Sequence, residues 1–303
     1  MNIIFFANGK FAIPSIESIH LSTKHNLIRV ITNKDKVGGR GKKNISTDVA
    51  NYCKVKSINM IQIESINSTE FEAKLKSLNA DIYIVISYKI LPEIIFSIPR
   101  YNTINVHASL LPSYRGAAPI QRSIINGESY VGLTVFEINK KIDSGKIVNQ
   151  KKISINETDN FGEIHDKLSM KAPDLLINSI DLIESNKRFS LNNQESSYAK
   201  KIDKKEFKID LNSSSVNIHN LIRGLTPPSP YLLFDNKRVK LYNTYYNNNN
   251  NLSLGEWSID NHKIHIGCNN GSIEVLNIQF AGKKIITVKD FENMNLNKSI
   301  YFE

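Results

Sequence analysis

Three side chains in this sequence have the types and spacing needed for acyl-transfer chemistry. Asn105 and His107 lie two residues apart in a short β-rich run, so strand alternation places an amide and an imidazole on one face. Asp143 follows a second β-rich run, in a turn that also contains Gly145. An amide can donate to a developing oxyanion, an imidazole can move a proton, and a carboxylate can orient the imidazole. A lone histidine or turn aspartate is more often structural, so the hypothesis of a catalytic set depends on all three together.

The segment after His107 has the pattern of a binding loop that leads into a helix. Ser109-Leu-Leu-Pro112 is followed by Arg115-Gly116, where the backbone can bend or approach a ligand closely. Pro119 predicts the first turn of a helix that ends near Asn126. The order predicted is therefore strand, functional loop, helix.

These segments are expected at one edge of a mostly parallel sheet. Strand-like and helix-like runs alternate along the first half of the chain, which predicts βαβ units. The predicted strands cover residues 3–7, 27–32, 60–63, 81–87, 103–106 and 131–138, and the predicted helices cover residues 11–19, 47–55, 68–78 and 161–185. Ligands of such sheets bind outside the carboxyl ends of the strands, where Gly9, Ser87, Asn105 and His107 are predicted to lie. No G-x-G-x-x-G pattern follows the first strand, so a dinucleotide site is not predicted.

The last third of the chain has a different pattern. A helical patch at 216–225 precedes short strands, and the runs 263–268 and 272–278, joined by Asn269-Asn-Gly271, predict a hairpin. Residues 146–155 predict an edge hairpin, and the Asn-rich run 242–251 predicts a flexible loop. We therefore expect a Rossmann-like α/β catalytic domain over 1–186, a basic linker over 187–206 and a small β-barrel domain over 207–303.

Composition limits the possible functions. The formal net charge is +10, and because residues from 209 onward carry 9 Lys or Arg against 8 Asp or Glu, the excess lies before them. A polyanionic partner and an ordinary solvated lysine-rich surface both fit this distribution. The two cysteines, Cys53 and Cys268, predict neither a disulfide framework nor a metal site. The sequence has no long apolar run and no basic n-region at its start, so we expect no membrane partner and a cytoplasmic protein.

A basic loop at 33–43 has two interpretations. It contains five basic residues, one acid and three glycines, and it lacks the glycine and the Ser or Thr of a Walker A loop. Composition alone favours a solvated surface loop. A basic, glycine-rich loop is also suited to following a phosphate backbone.

Several of these motifs together resemble the signature of the 10-formyltetrahydrofolate-dependent formyltransferases. The motifs are Asn105-x-His107, Ser109-Leu-Leu-Pro112, Arg115-Gly-Ala-Ala-Pro-Ile-Gln121 and Asp143-Ser-Gly145, and the likeness extends almost from end to end. Within that family, the chain most resembles the members that formylate charged tRNA. The resemblance implies that the C-terminal barrel is OB-like.

The resemblance also implies a reaction and a set of site residues. The formyl group would pass from 10-formyltetrahydrofolate to the α-amine of methionine on initiator Met-tRNA, with no metal and with a monomeric enzyme. Asn105 would donate to the oxyanion, His107 would take or relay a proton, and Asp143 would fix its tautomer or position a water. The implied folate-binding residues are Ser87, Tyr88, Ser109, Leu110, Leu111 and Pro112. The implied tRNA-binding residues are Arg40, Lys42 and Lys43.

The chain departs from the family pattern at three places, and two alternatives stay open. Ser87-Tyr88-Lys89 replaces Ala-Tyr-Gly, Ala108 stands where glycine is often found, and Thr226-Pro-Pro stands where a Trp-containing segment is usual. One alternative is a formyltransferase for a small amine such as a nucleotide amino sugar, which the basic loop and the added barrel disfavour. The other is a non-catalytic RNA-binding module, which the presence of all three candidate catalytic residues disfavours.

Overall fold

The computed structural model describes residues 1–38, 43–185, 196–249, 252–293 and 300–303. The chain forms two compact units, each built from segments that are distant in sequence. The first consists of Met1–Gly116, Gly132–Ile153 and His165–Tyr198, and the second consists of Ala117–Val131, Ser154–Ile164 and Ala199–Glu303. In the ranges that the structure describes, no helix is both long enough and apolar enough to span a bilayer.

A seven-stranded sheet forms the centre of the first unit. The strands up to residue 154 are β1 Asn2–Ala7, β2 Asn26–Asn33, β3 Lys36–Gly38, β4 Lys43–Ile45, β5 Met60–Ile63, β6 Ile82–Ile86, β7 Thr103–His107, β8 Arg115–Gly116, β9 Tyr130–Glu137 and β10 Ile147–Ser154. The strand order is β10-β9-β7-β6-β1-β2-β5. Neighbouring strands from β7 to β5 are parallel, whereas β9 is antiparallel to β7. The predicted mostly parallel sheet is therefore confirmed.

Side chains cap the first turns of the helices Asp48–Val55 and Thr69–Ser77 of this unit. The helices of this part of the chain are α1 Ile13–His20, α2 Asp48–Val55, α3 Thr69–Ser77, α4 Glu93–Phe96, α5 Pro119–Ile125 and α6 Phe161–Glu184, and a 3-10 turn at Lys10–Ala12 precedes α1. The Thr47 hydroxyl accepts the Ala50 N–H at 3.0 Å and the Ser68 hydroxyl accepts the Phe71 N–H at 3.3 Å. Each bond satisfies an amide that has no intrahelical partner, which fixes the first turn.

The core of the first unit lies around the central strands. Ile3, Ile4, Phe5 and Phe6 of β1 are all fully buried, as are neighbours in β6. A strand buried on both faces reads as a continuous apolar run, which is why β1 shows no alternation. Fully burying each such side chain stabilises the fold by about 1.5–3 kcal/mol. The free thiol of Cys53 is part of this buried interior.

The second unit is dominated by antiparallel strands. After the short strand β11 Tyr198–Ala199 and a 3-10 turn at Lys204–Phe207, its elements are α7 Ser215–Gly224, β12 Tyr231–Phe234, β13 Lys237–Asn247, β14 Trp257–Asp260, β15 Lys263–Cys268, β16 Gly271–Phe280, β17 Ile286–Thr287 and α8 Val288–Glu292. The sheet order is β12-β13-β16-β15-β14, with β17 also on β16. All of these pairs are antiparallel, and the predicted hairpin is formed by β15 and β16. Its core surrounds Trp257 and also buries Cys268.

Two sequence predictions need correction. Residues 242–247 are not a flexible loop, because they continue strand β13 and pair with β16 from Tyr242↔Asn277 to Asn247↔Ser272. Long-range pairing satisfies this backbone, and burial of Leu241 and Thr244 holds it in place in spite of its low apolar content. The segment 146–155 contains one edge strand, β10 Ile147–Ser154, so the hairpin is made by β9 and β10 together.

Candidate active site

Strand β7 delivers both Asn105 and His107 to the carboxyl end of the sheet. Asn105 pairs with Val85 of the parallel strand β6 and with Phe136 of the antiparallel strand β9. His107 pairs with Thr134 and is the last residue of β7. Asn105 is half-buried and His107 is buried. The strand alternation predicted for this pair is therefore present, with both residues beside the loops that follow.

The two ring nitrogens of His107 face two different oxygen atoms. Nδ1 lies 3.7 Å from Asp143 Oδ2, and Nε2 lies 2.9 Å from the carbonyl oxygen of Tyr114. A neutral imidazole carries one N–H and can donate to only one of these acceptors, whereas an imidazolium can donate to both. The contact to the Tyr114 carbonyl requires the hydrogen on Nε2, so Nδ1, which faces Asp143, is the nitrogen of the neutral ring that can accept a proton. The Asp143 carboxylate is held in turn by the Gly116 N–H, which donates to Oδ2 at 2.8 Å.

Three non-glycine residues in the loops at this end of the sheet lie in the left-handed region of backbone conformation. Ser87, Tyr114 and Asp143 all have positive φ, at 51°, 60° and 47°. Non-glycine residues seldom adopt this region, and they persist there only when the surroundings determine the conformation. Gly145 is required beside Asp143, because a Cβ added to it would lie 1.5 Å from the Glu137 carbonyl oxygen.

Thr134 fixes the loop that follows His107. Its hydroxyl donates to the Ser109 carbonyl at 2.6 Å and accepts the Leu111 N–H at 3.0 Å. The Gln150 side-chain amide donates to the same hydroxyl at 2.8 Å and to the Leu111 carbonyl at 2.9 Å. Ser109 closes the loop by donating to the Ser113 carbonyl at 2.7 Å. Two strands of the sheet, β9 and β10, therefore determine the path of this loop.

Apolar packing holds the same loop from the other side. Leu111 forms a buried cluster with Phe136 and Ile147. Leu110 fills the space over Gly132, where an added Cβ would lie 2.3 Å from its Cδ2 atom. Ser109 and Leu111 are buried, and Leu110 and Pro112 are half-buried. Of this loop, Leu110 and Pro112 are thus the more accessible to a ligand.

The residues of the loop after β6 differ in how far they are exposed. Ser87 is exposed, whereas the ring of Tyr88 packs edge-on against Phe6 at 5.7 Å, and burial raises the pKa of its phenol. Lys89 Nζ lies 5.7 Å from the Tyr88 ring. Burial, followed by repulsion from Lys36, lowers the pKa of Lys89. The charge that Lys89 adds to the family pattern is therefore partly desolvated.

The two described ends of the basic loop at 33–43 are strands that pair as a small antiparallel ribbon. Strands β3 and β4 pair from Lys36↔Ile45 to Gly38↔Lys43. Arg40 and Lys42 lie outside the described residues, and for Lys43 the structure describes the backbone. Of the three predicted tRNA-binding residues, Lys43 is therefore the one with a described place, in the second strand of this ribbon.

Sequence reasoning missed four groups of this site. Thr134 and Gln150 hold the loop after His107, the Tyr114 carbonyl accepts from His107, and the Gly116 amide binds Asp143. Only Thr134 gave a signal, because it is a polar residue within an apolar strand. The two backbone groups carry no side-chain signature. No cluster of three or more metal-ligating side chains occurs among the residues for which the structure is described.

Family models match almost the whole chain. The formyl transferase model covers residues 1–180, and the model of the formyl transferase C-terminal domain covers residues 201–296.

Proteins named methionyl-tRNA formyltransferase are similar to the chain over nearly their full lengths. The protein of Flavobacterium psychrophilum is 34% identical, with 97% of this chain and 96% of the relative covered. The proteins of Thermodesulfovibrio yellowstonii and Clostridium novyi are 38% and 37% identical, at 95% and 96% of this chain and 94% and 96% of their own lengths.

Solved structures share the fold at lower identity. WlaRD, a sugar 3N-formyl transferase, has a TM-score of 0.67 at 18% identity, over 94% of this chain and 99% of that one. An N-formyltransferase of Helicobacter canadensis has a TM-score of 0.66 at 22% identity, over 90% and 98% of the two chains.

Proposed function

The chain belongs to the formyl transferase family, and we propose that it transfers the formyl group of 10-formyltetrahydrofolate to the α-amine of methionine on initiator Met-tRNA. The observation that carries the proposal is the His107–Asp143 pair beside Asn105, held by backbone groups of the loop at 114–116. The nearly full-length similarity to methionyl-tRNA formyltransferases supports the choice of the acceptor.

The reaction uses the three side chains in succession. The methionyl amine attacks the formyl carbon, the carbonyl electron pair moves onto oxygen, and the Asn105 amide donates to that oxyanion. His107 receives the proton that the amine loses, and Asp143 stabilises the resulting imidazolium. Collapse of the intermediate breaks the bond to N10 of the folate. His107 returns a proton to that nitrogen, which releases tetrahydrofolate and formyl-methionyl-tRNA.

We propose that the folate donor binds on the surface next to this set. Ile90 and Ile142, one in each of the loops that carry Tyr88 and Asp143, are 76% and 55% exposed. Exposed apolar side chains beside a polar site are the surface that a planar ring system covers. Proteins of the same fold were solved with 5-N-formyl-THF and with folinic acid. We place the donor against Ser87, Tyr88 and residues 109–112, with no metal taking part.

We assign acceptor binding to the basic loop at 33–43. Arg40, Lys42 and Lys43 would contact the phosphate backbone of the acceptor arm, because Lys and Arg release counterions there. We further propose that residues 1–186 form the catalytic domain, 187–206 a basic linker and 207–303 the C-terminal domain. Because the proposed substrate is a charged tRNA, we also propose that the protein acts in the cytoplasm.

The deciding experiment measures formyl transfer with both classes of acceptor. Radiolabelled 10-formyltetrahydrofolate is incubated with initiator Met-tRNA, elongator Met-tRNA or a nucleotide amino sugar, with His107→Ala as the inactive control. We expect transfer to initiator Met-tRNA and none to the sugar. Transfer to the sugar alone would replace the proposed acceptor, and binding of tRNA without transfer to any amine would indicate a non-catalytic RNA-binding protein.

A further inference from the structure

Ser197 makes two hydrogen bonds to the loop that carries the His107 acceptor. Its hydroxyl accepts the Tyr114 N–H at 2.9 Å, and its carbonyl oxygen accepts the Arg115 N–H at 2.9 Å. Ser197 lies 83 residues away from Tyr114 in sequence, next to the short strand β11. Two consecutive amides of the loop are therefore held by one distant residue.

The loop at 114–116 makes hydrogen bonds to both His107 and Asp143. The Tyr114 carbonyl accepts from His107 Nε2 at 2.9 Å, and the Gly116 N–H donates to Asp143 at 2.8 Å. A shift of this backbone would move both partners of His107 together. Tyr114 is in the left-handed region, with φ of 60°, so its conformation depends on contacts that hold the peptide groups on either side.

We propose that Ser197 is a positioning residue for the formyl transfer reaction. Its hydrogen bonds fix the peptide groups at Tyr114 and Arg115, and so fix the position of the Tyr114 carbonyl oxygen. Because this oxygen accepts from His107 Nε2, it orients the imidazole and sets the distance from His107 Nδ1 to Asp143. Ser197 is exposed, so its contribution comes from these hydrogen bonds and not from burial in the core. The role in catalysis depends on the proposed function, in which His107 carries the proton.

Three variants separate this role from a merely structural one. Ser197→Ala removes the hydroxyl and keeps the carbonyl, Ser197→Thr keeps both oxygens, and Ser196→Ala is a matched serine change one residue away. The loss of one hydrogen bond predicts that Ser197→Ala lowers kcat about three- to tenfold, with the KM for Met-tRNA within twofold of wild type. Ser197→Thr and Ser196→Ala should retain the wild-type kcat. A raised KM at unchanged kcat would overturn the proposal, because it would make Ser197 a substrate contact.

A second measurement does not depend on which amine is formylated. In protein labelled with ¹⁵N-histidine, the His107 imidazole signals are assigned by their absence from His107→Asn. Ser197→Ala should shift these signals and the pH midpoint of their titration, while Ser196→Ala should leave both unchanged. Unmoved His107 signals in Ser197→Ala would overturn the positioning role. Failure of the wild type to formylate Met-tRNA would overturn the proposed function instead and leave this measurement valid.

Discussion

His107 has a carboxylate on one side and a peptide carbonyl on the other. Because Nε2 needs its hydrogen for the bond to the Tyr114 carbonyl, Nδ1 is the nitrogen left to accept a proton in the proposed reaction. If the Asp143 carboxylate moved, it would lose its hydrogen bond from the Gly116 N–H. The turn that carries Asp143 is also packed closely, because the Glu137 carbonyl oxygen occupies the space that a Cβ on Gly145 would need. Catalytic geometry at the scale of single residues is thus enforced by backbone groups.

Removing the candidate catalytic side chains should lower turnover without weakening tRNA binding. His107→Ala and Asp143→Asn are expected to lower kcat about 10²–10⁴-fold, the range of general acid–base effects. Asn105→Ala should cost about 10²–10³-fold, as for an oxyanion donor. Single-turnover rates with filter-binding Kd values for Met-tRNA test this. Equal losses in rate and binding would show a structural role, and near-normal turnover of Asn105→Ala would exclude it as the oxyanion donor.

Thr134→Val keeps the shape of the side chain but should loosen the loop at 109–112, which we propose to bind folate. The substitution removes the hydroxyl that joins Ser109, Leu111 and Gln150, so three polar groups lose a buried partner. We expect a higher KM for 10-formyltetrahydrofolate and a loss of about 1–3 kcal/mol of unfolding free energy. Steady-state titration of the donor and urea denaturation measure the two effects. Thr23→Val, at an exposed threonine, is the matched control, and equal behaviour of the two variants would refute the role of Thr134.

At the scale of secondary structure, local signals predicted the elements of the α/β unit well. Apolar runs predicted β1 and β6, and the helices predicted from residues 47 and 68 are capped in the structure by Thr47 and Ser68, because these effects act within a few residues. The candidate residues Asn105 and His107 could also be placed together, since they share one strand.

Contacts between distant segments could not be predicted from the sequence. The strand at 242–247 depends on pairing with β16, which overrides the loop character of its asparagines. Ser197 and Gln150 act on loops 83 and 39 residues away, and neither has a local pattern that indicates its partner. The site can therefore be located from the sequence, whereas the groups that hold its loops require coordinates.

Substitutions in the basic loop at 33–43 should weaken tRNA binding and leave folate binding unchanged. Replacing Arg40, Lys42 and Lys43 with alanine removes cations that displace counterions from the phosphate backbone. The slope of log affinity against log salt should fall by about 0.9 for each duplex phosphate that the protein no longer neutralises. The KM for Met-tRNA should rise, while the KM for 10-formyltetrahydrofolate stays near the wild-type value.

Salt titrations of Kd together with steady-state kinetics of both substrates test this expectation. Replacement of Lys74, Lys76 and Lys171 on helices α3 and α6 removes the same charge elsewhere and serves as the control. A salt slope that survives the change in the ribbon would make 33–43 an ordinary solvated loop and would remove the best single support for a tRNA acceptor.

At the scale of the whole molecule, the net charge of +10 favours association with a polyanion. The stability of the fold also depends on charge, because some buried titratable side chains are hydrogen-bonded in their neutral form. The imidazole of His219 is buried in the second unit, with Nδ1 3.0 Å from the Thr244 hydroxyl and Nε2 3.0 Å from the Glu157 carbonyl. A neutral ring accepts from the hydroxyl and donates to the carbonyl, so both contacts are satisfied without a proton on Nδ1.

Acid should therefore weaken the second unit near pH 6. Burial lowers the pKa of His219 below its usual 6.5, so the unfolded chain binds the proton first. Stability is fully present above the unfolded pKa and is lost as the pH falls below it, by at most about 1.4 kcal/mol per pH unit.

Urea denaturation at pH 7.5 and 5.5 tests the effect through fluorescence of Trp257, the one tryptophan of the chain. The midpoint should fall at pH 5.5 in the wild type and fall less in His219→Gln. The carboxyl groups of Glu206 and Asp210 in the same unit have lowered pKa values, so they titrate below this window. An equal fall in both proteins would exclude His219 as the cause.

The burial of both cysteines has a practical consequence for fluorescence experiments. Desolvation raises the pKa of the Cys53 and Cys268 thiols to about 11, so thiolate is scarce at neutral pH and maleimide dyes have little to attack. An introduced Asn44→Cys, at an exposed position of β4, can then be labelled selectively with both native thiols left in place. A dye at this position would report the arrival of tRNA at the basic ribbon in stopped-flow mixing, separately from the chemistry that follows.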